Sequence, residues 1–121
     1  MYKIALLCLF LVILQSCGKP LPNLEGIDLE KWKEDKGGCL LIRQNLIDPI
    51  NQQREKIKSL SEAEVIELLG RPDKNELLKR NQKFFYYYLE PGPACEDKKS
   101  DAKKLMIRFN AIGLAKEVSI E

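Results

Sequence analysis

The sequence predicts an α+β fold, in which two or three helices pack on one face of a three- to four-stranded antiparallel sheet. Three observations support this prediction. Apolar residues recur at helical spacing as far as Leu69, and beyond Lys83 the period changes to the two-residue repeat of a strand. The strand-like segments then follow one another with only loops between them, which is typical of antiparallel strands.

The N-terminus has the pattern of a secretory signal peptide. Residues 4–14 are all apolar, and Lys3 is the one charge among the first seventeen residues. A membrane-spanning helix needs about 20 apolar residues, so this run is too short for a comfortable anchor.

Leu14, Gln15, Ser16 and Cys17 resemble the lipobox of bacterial lipoproteins. In that family the cysteine becomes the new N-terminus and carries a diacylglycerol thioether and an N-acyl chain. Several acyl chains hold a protein on a bilayer where one chain would not. The resemblance implies a signal peptide over residues 1–16 and lipidation at Cys17, with a membrane as partner. A plain secreted protein and an uncleaved anchor are the alternatives.

The residues after Cys17 indicate in which bacterial membrane the lipoprotein would be anchored. Gly18, Lys19 and Pro20 follow, so no acidic residue comes directly after the cysteine. In lipoproteins this resembles an outer-membrane address. We therefore expect an exported protein that is anchored in the outer membrane and faces the periplasm.

The mature chain carries almost no net charge. Removing residues 1–16 takes away one basic residue, which leaves 105 residues with 19 Lys and Arg, 18 Asp and Glu, and a net charge of +1. This length fits one small domain. Nucleic-acid binding needs a clustered basic surface, whereas the lysines here are interleaved with acidic residues. No nucleic-acid partner is expected.

The chain contains no histidine. This excludes Ser-His-Asp and Cys-His catalysis and removes the commonest zinc ligand. Glu62, Glu64 and Glu67 are better explained as a charged helix face than as a carboxylate pair. Residues 96–101 lack the alternating acids and central glycine of a calcium loop. We expect no catalytic residue, no metal, no cofactor and hence no enzyme.

Two of the four cysteines form a candidate disulfide. Cys8 leaves with the signal peptide and Cys17 is the lipidation position, so Cys39 and Cys95 remain in an oxidising compartment. Their bond would close a loop of about 57 residues and contribute on the order of 4 kcal/mol. Two buried free thiols or a reduced pair are the alternatives.

The sequence pattern of the first half of the chain predicts a tether followed by helices. Prolines and glycines without periodicity predict a tether over residues 17–26, with one domain over 27–121. Asp28 is a candidate N-cap for a short helix that ends at a glycine pair, with Trp32 as its anchor to the core. Between Cys39 and Leu60 the apolar spacing is approximately helical, with Pro49 as a kink or break.

The next helix is specified at both ends. Ser61 and Glu64 form a capping box before it. Gly70 supplies a left-handed residue at its C-terminal end, and Pro72 prevents its continuation. Its apolar face consists of Val65, Leu68 and Leu69.

Three strands are expected over residues 84–89, 105–109 and 114–120, and a weaker one over 76–79. In the first strand, Phe85, Tyr87 and Leu89 form one face and Phe84, Tyr86 and Tyr88 the other. Residues 91–103 form a loop. The second aromatic face carries more apolar area than a solvent-exposed face needs. It serves either as a ligand or partner surface or as a surface covered by the N-terminal helix and loop.

The motifs LSEAEVIELLGRPD and LMIRFNAIGLAKEVSI, with an aromatic strand between them, resemble the small outer-membrane lipoproteins of the SmpA/OmlA (BamE) type. The resemblance covers about residues 58–121. It implies a pair of helices on a three-stranded antiparallel sheet, as also found in β-lactamase-inhibitor proteins. It also implies a structural or scaffolding role connected with β-barrel assembly. This chain lacks the family's Gly-Met pair before the helix.

Two functions remain as hypotheses. The favoured one is a non-catalytic interaction or scaffolding module of the cell envelope, which binds an envelope protein through Phe84, Tyr86 and Tyr88. Tyrosine is enriched at interfaces because it offers a large apolar area with a polar handle. The alternative is a lipoprotein that binds a small ligand, a lipid or cell-wall fragment, in a cleft under the 91–102 loop.

Overall fold

Residues 20–78 and 81–121 are described by the computed structural model, in which three α-helices accompany one four-stranded antiparallel sheet. The predicted α+β class is therefore confirmed. The predicted signal peptide over residues 1–16 and the lipidation position Cys17 lie outside the described residues. Within the described ranges, no helix has the length and apolar character needed to cross a bilayer.

The first helix, α1, spans Leu29–Glu34 and begins where the sequence predicts. Asp28 Oδ1 accepts the backbone N–H groups of Glu30 at 3.1 Å and Lys31 at 3.3 Å, so two of the unpaired donors of the first turn are satisfied. Trp32 is fully buried, as expected for the residue that anchors this short helix.

The second helix, α2, spans Ile47–Gln53 and contains Pro49 without being kinked there. Pro49 is the third residue of α2, and the first turn needs no hydrogen-bond donor at that position. The helical pattern is interrupted on either side instead, by single 3₁₀ turns at Arg43–Leu46 and Arg54–Ile57. The expected kink or break at Pro49 is therefore not seen within the helix, because Pro49 lies in its first turn.

The third helix, α3, spans Glu62–Leu69 and has both predicted ends. The Glu64 N–H donates to Ser61 Oγ at 3.2 Å, and the Ser61 N–H donates to Glu64 Oε1 at 3.0 Å. Gly70 has a φ of 81° and donates its N–H to the Ile66 carbonyl. The three residues of the predicted apolar face are all buried: Val65, Leu68 and Leu69.

The sheet has the strand order β1-β2-β3-β4, with β1 at Lys74–Leu78, β2 at Gln82–Tyr88, β3 at Lys104–Phe109 and β4 at Ala115–Ile120. The weakly predicted strand over 76–79 is real and begins two residues earlier, as β1. A register shift between Arg108 and Phe109 places Ala115, instead of Lys116, opposite Phe109. This bulge buries the small apolar side chain and leaves the lysine exposed.

The hydrophobic core lies between the helices and one face of the sheet. As predicted, Phe85, Tyr87 and Leu89 line that face, and each is at most 1% exposed. The rings of Phe85 and Phe109 meet edge to face with centroids 4.7 Å apart. The rest of the cluster comes mainly from the helices, β3 and β4.

Residues 20–26, which fall within the predicted tether over 17–26, pack on the domain. Leu24 belongs to the core and Leu21 packs against it. The backbone of Glu25 exchanges hydrogen bonds of 2.6 and 2.7 Å with the Gln53 side chain. The burial of Leu24 and the partial burial of Leu21 hold this segment on the domain despite its loop-like composition.

Candidate functional site

The aromatic residues expected to bind a partner lie on the sheet face opposite the helices. Phe84, Tyr86 and Tyr88 alternate along β2 with the core residues and are all half-buried. Cross-strand pairing surrounds them with residues of β1 and β3. We refer to these side chains together as the outer face: Phe84, Tyr86, Tyr88, Lys74, Glu76, Lys104, Met106 and Arg108.

Phe84 and Tyr86 form the centre of the outer face. Their rings stack with centroids 6.2 Å apart and planes inclined by 9°. The ammonium of Lys104 lies 4.9 Å from the centroid of the Tyr86 ring, and that of Lys74 lies 5.8 Å from it. Both distances are within cation–π range, so two positive charges flank an ordered aromatic pair.

The hydroxyl of Tyr86 remains a neutral hydrogen-bond donor. Burial raises its pKa, and the carboxylate of Glu76 adds to the increase. The Tyr86 hydroxyl therefore stays protonated and is engaged by the Glu76 carboxylate within the outer face.

Tyr88 has a different environment from the other two aromatic residues. A Cβ added at Gly92 would lie only 2.7 Å from Tyr88 Cγ, so the glycine backbone packs directly on the tyrosine ring. The structure thus brings Phe84 and Tyr86 together, whereas Tyr88 is held under the 91–103 loop.

Cys39 and Cys95 form the predicted disulfide, with Cα atoms 5.4 Å apart. The bond joins the turn after α1 to the 91–103 loop, and the Gly92 N–H donates to the Gly37 carbonyl at 2.9 Å beside it. Gly38 has a φ of 73°, and a Cβ there would lie 2.4 Å from the carbonyl oxygen of Glu90. Two chain segments therefore meet backbone to backbone next to the disulfide.

A cleft of about 320 Å³ lies where these segments approach β1 and β2. This volume is at the lower end of the range for small-molecule sites, roughly 300–1,000 Å³. The hypothesis of a cleft under the 91–102 loop therefore has a defined place in the fold. We refer to this site as the loop cleft, and its lining residues are Lys36, Gly37, Asp73, Lys74, Tyr88, Pro93 and Ala94.

A buried ion pair, which the sequence pattern does not reveal, supports the wall of the loop cleft. Arg43 is 1% exposed, and its Nη1 lies 2.7 Å from Asp73 Oδ2. Its Nε donates to the Trp32 carbonyl at 2.9 Å, and its guanidinium lies 4.7 Å from the centre of the Trp32 ring. Asp73 also accepts the backbone N–H groups of Gly37 and Tyr88. These two charged residues are 30 positions apart, so no local pattern links them.

The carbonyl groups at the end of α3 are satisfied by side chains from other elements. Trp32 Nε1 donates to the Leu69 carbonyl at 3.0 Å, and the Tyr87 hydroxyl donates to the Gly70 carbonyl at 2.8 Å. Lys33 Nζ donates to the Glu67 carbonyl. Burial raises the pKa of Tyr87, so this hydroxyl stays protonated. The bonds fix α3 against α1 and β2, close to the loop cleft.

Within residues 20–78 and 81–121, no three His, Cys, Asp or Glu side chains are arranged to hold a metal ion. The other predicted site residue, Cys17, lies outside these ranges. No family model, curated protein or solved structure matches the chain. The resemblance to SmpA/OmlA lipoproteins stays a prediction from sequence.

Proposed function

We propose that this chain is a membrane-anchored bacterial lipoprotein that serves as a non-catalytic interaction or scaffolding module of the cell envelope. Its outer face binds another envelope protein. The observation that carries the proposal is the Phe84–Tyr86 stack, which lies half-buried on the sheet face opposite the helices, between the ammonium groups of Lys74 and Lys104.

The outer face has the physical properties of a binding centre. Stacked aromatic rings on a strand have few rotamers left to lose, so a partner that covers them loses little side-chain entropy. Aromatic residues with a polar group are enriched at the centre of protein interfaces. The neighbouring lysines favour a partner that places carboxylates around an apolar contact.

The cellular context of the proposal comes from the sequence. The lipobox supports a lipid anchor at Cys17, and the absence of an acidic residue directly after Cys17 supports a location in the outer membrane, facing the periplasm. The SmpA/OmlA resemblance supports a partner involved in the assembly of β-barrel outer-membrane proteins.

Site-specific crosslinking tests the proposed face. A photoreactive residue in place of Tyr86 in intact cells should trap one discrete protein, and Phe84→Ala should reduce that product strongly. The matched control is the same residue in place of Ile112, which is 78% exposed in the β3–β4 turn. Equal products from both positions, or none from Tyr86, would contradict binding through the outer face.

The anchor is tested separately by Cys17→Ser. We expect the variant to leave the membrane fraction and to lack the acyl mass of the wild-type protein. Lipidation at Cys17 would be contradicted if the Cys17→Ser variant stayed in the membrane fraction and the wild-type protein carried no acyl mass.

The loop cleft favours a second candidate function, the binding of a small ligand such as a lipid or cell-wall fragment. Its support is the volume of the cleft and the apolar contribution of Tyr88, Pro93 and Ala94. A ligand that co-purifies with the protein, together with no crosslinked partner from Tyr86, would favour this function over the first.

A further inference from the structure

We infer that the loop cleft and a second cleft beside it, which we refer to together as the groove, bind an acidic peptide segment of the partner protein. The inference rests on the proposed function and deepens it, because it names the chemistry of the segment that is bound.

The groove has two lobes, the loop cleft and an adjoining cleft of about 420 Å³. The two lobes share Lys36 and Asp73. Four basic side chains line them, and none of the four forms an ion pair with a carboxylate of the described residues, although Lys33 Nζ donates to the Glu67 carbonyl and the Lys74 ammonium lies beside the Tyr86 ring. The four residues are Lys33, Lys36, Arg71 and Lys74.

The one carboxylate among the described residues that line the two lobes is already neutralised. Asp73 Oδ2 accepts from Arg43 and from the Tyr88 N–H, and Oδ1 accepts from the Gly37 N–H. Its side chain is 10% exposed. Asp73 therefore contributes little repulsion to an incoming anion, and the four basic residues define the potential of the groove.

The anion is recognised by side chains and not by a backbone nest. The N–H groups of Gly37, Gly92 and Cys95 all have partners within the fold. Lysine ammonium groups on flexible stems suit carboxylates spaced along a chain, whereas a compact phosphate is held best by converging backbone N–H groups. Tyr88, Pro93 and Ala94 give the first lobe an apolar surface for one apolar residue of the segment.

The disulfide fixes the shape of the first lobe. Lys36 and Gly37 on one wall directly precede the turn that carries Cys39, and Pro93 and Ala94 on the other wall directly precede Cys95. Covalent closure of the two walls makes the lobe rigid before the segment arrives, which lowers the entropic cost of binding.

The groove is continuous with the outer face. Lys74 approaches the Tyr86 ring and also lines the loop cleft, and Tyr88 belongs to both surfaces. A partner seated on Phe84 and Tyr86 can therefore extend an acidic segment into the groove.

The test uses the full chain purified in detergent and a blocked pentapeptide with a central phenylalanine between two pairs of glutamates. Titration followed by amide chemical shifts should move Gly37, Ala94 and Cys95. In Lys36→Gln/Arg71→Gln the dissociation constant should rise about tenfold. The matched control Lys31→Gln/Lys116→Gln removes two exposed lysines elsewhere and should bind as the wild type does.

Any one of the following results would overturn the inference. A peptide with glutamines in place of the glutamates could bind equally well, which would remove the role of charge. A peptide with serine in place of phenylalanine could bind equally well, which would remove the role of the apolar lobe. Unchanged affinity in Lys36→Gln/Arg71→Gln, with native amide dispersion, would place the peptide elsewhere.

The outcomes also separate this inference from the proposed function. If crosslinking from Tyr86 traps a partner while the acidic peptide does not bind, the inference fails and the proposed function stands. If the peptide binds while no partner is trapped, the proposed role of the outer face fails. Tighter binding of muramyl dipeptide than of the acidic peptide would overturn the inference in favour of a cell-wall ligand.

Discussion

Removing the disulfide should destabilise the domain mainly through its unfolded state. Cys39 and Cys95 are 56 positions apart. In the chain-entropy description, releasing a loop of this length costs about 4 kcal/mol at 25 °C. Small domains have unfolding free energies of about 5–15 kcal/mol, so the bond would supply a large part of the stability.

The folded state should change much less. The Gly92–Gly37 hydrogen bond and the close approach of Gly38 to Glu90 remain when the sulfur atoms are replaced. The unfolded chain, in contrast, becomes more expanded without its crosslink and exposes more surface. We therefore expect Cys39→Ser/Cys95→Ser to lower the free energy of unfolding by about 4 kcal/mol and to raise the urea m-value.

Urea titration followed by the fluorescence of Trp32, the single tryptophan and fully buried, measures both quantities. Wild-type protein with its thiols reduced serves as the control and should match the double serine variant. A loss below about 1 kcal/mol with an unchanged m-value would refute the unfolded-state argument.

Three further predictions follow from buried contacts. Leu69→Ala should lower the free energy of unfolding by about 2–5 kcal/mol, because a fully buried leucine leaves a cavity. Arg43→Met should cost about 3–5 kcal/mol, because it leaves Asp73 without its buried partner. The hydrogen bond from Lys99 holds the pKa of Glu90 below its ordinary value of 4.5. The ionised Glu90 therefore stabilises the folded state fully above pH 4.5, and this contribution is lost as the pH falls through the lowered pKa. Glu90→Gln should therefore be less stable than wild type at pH 7, and the difference should vanish in acid.

Urea titration of each variant tests these predictions, at pH 7 and, for Glu90→Gln, also from about pH 7 down to about pH 2, which extends below the ordinary carboxyl range of about 3.9–4.3. A loss below about 0.5 kcal/mol in Leu69→Ala would make α3 peripheral. Equal stability of Arg43→Met and wild type would show that Asp73 is satisfied by backbone donors alone. A Glu90→Gln deficit that persists unchanged in acid would exclude the carboxylate as its cause.

The sequence predicts best where the determinants are local. The capping box of Ser61 and Glu64 and the glycine at position 70 define α3 within ten residues of chain, and both ends are confirmed. The alternation in β2 assigns Phe85 and Tyr87 to the core because a strand directs successive side chains to opposite faces.

The remaining features depend on contacts between distant segments. Arg43 and Asp73 are ordinary surface-type residues until the turn after α1 meets the start of β1. Leu21 and Leu24 resemble linker residues because their neighbours are prolines and glycines, and only the folded core offers them a place. The grouping of Lys36, Arg71 and Lys74 into one groove depends likewise on tertiary structure.

The early packing of Leu21 has a consequence for where this protein can act. Four Cα–Cα steps separate Cys17 from Leu21, and at 3.8 Å each they reach at most about 15 Å. If the proposed lipid anchor is attached at Cys17, the domain would therefore stay at the surface of the membrane. A partner would then have to present its binding segment within one domain diameter of the bilayer. Lengthening the chain before Leu21 would change the height at which the domain operates while leaving its fold and its binding surfaces intact.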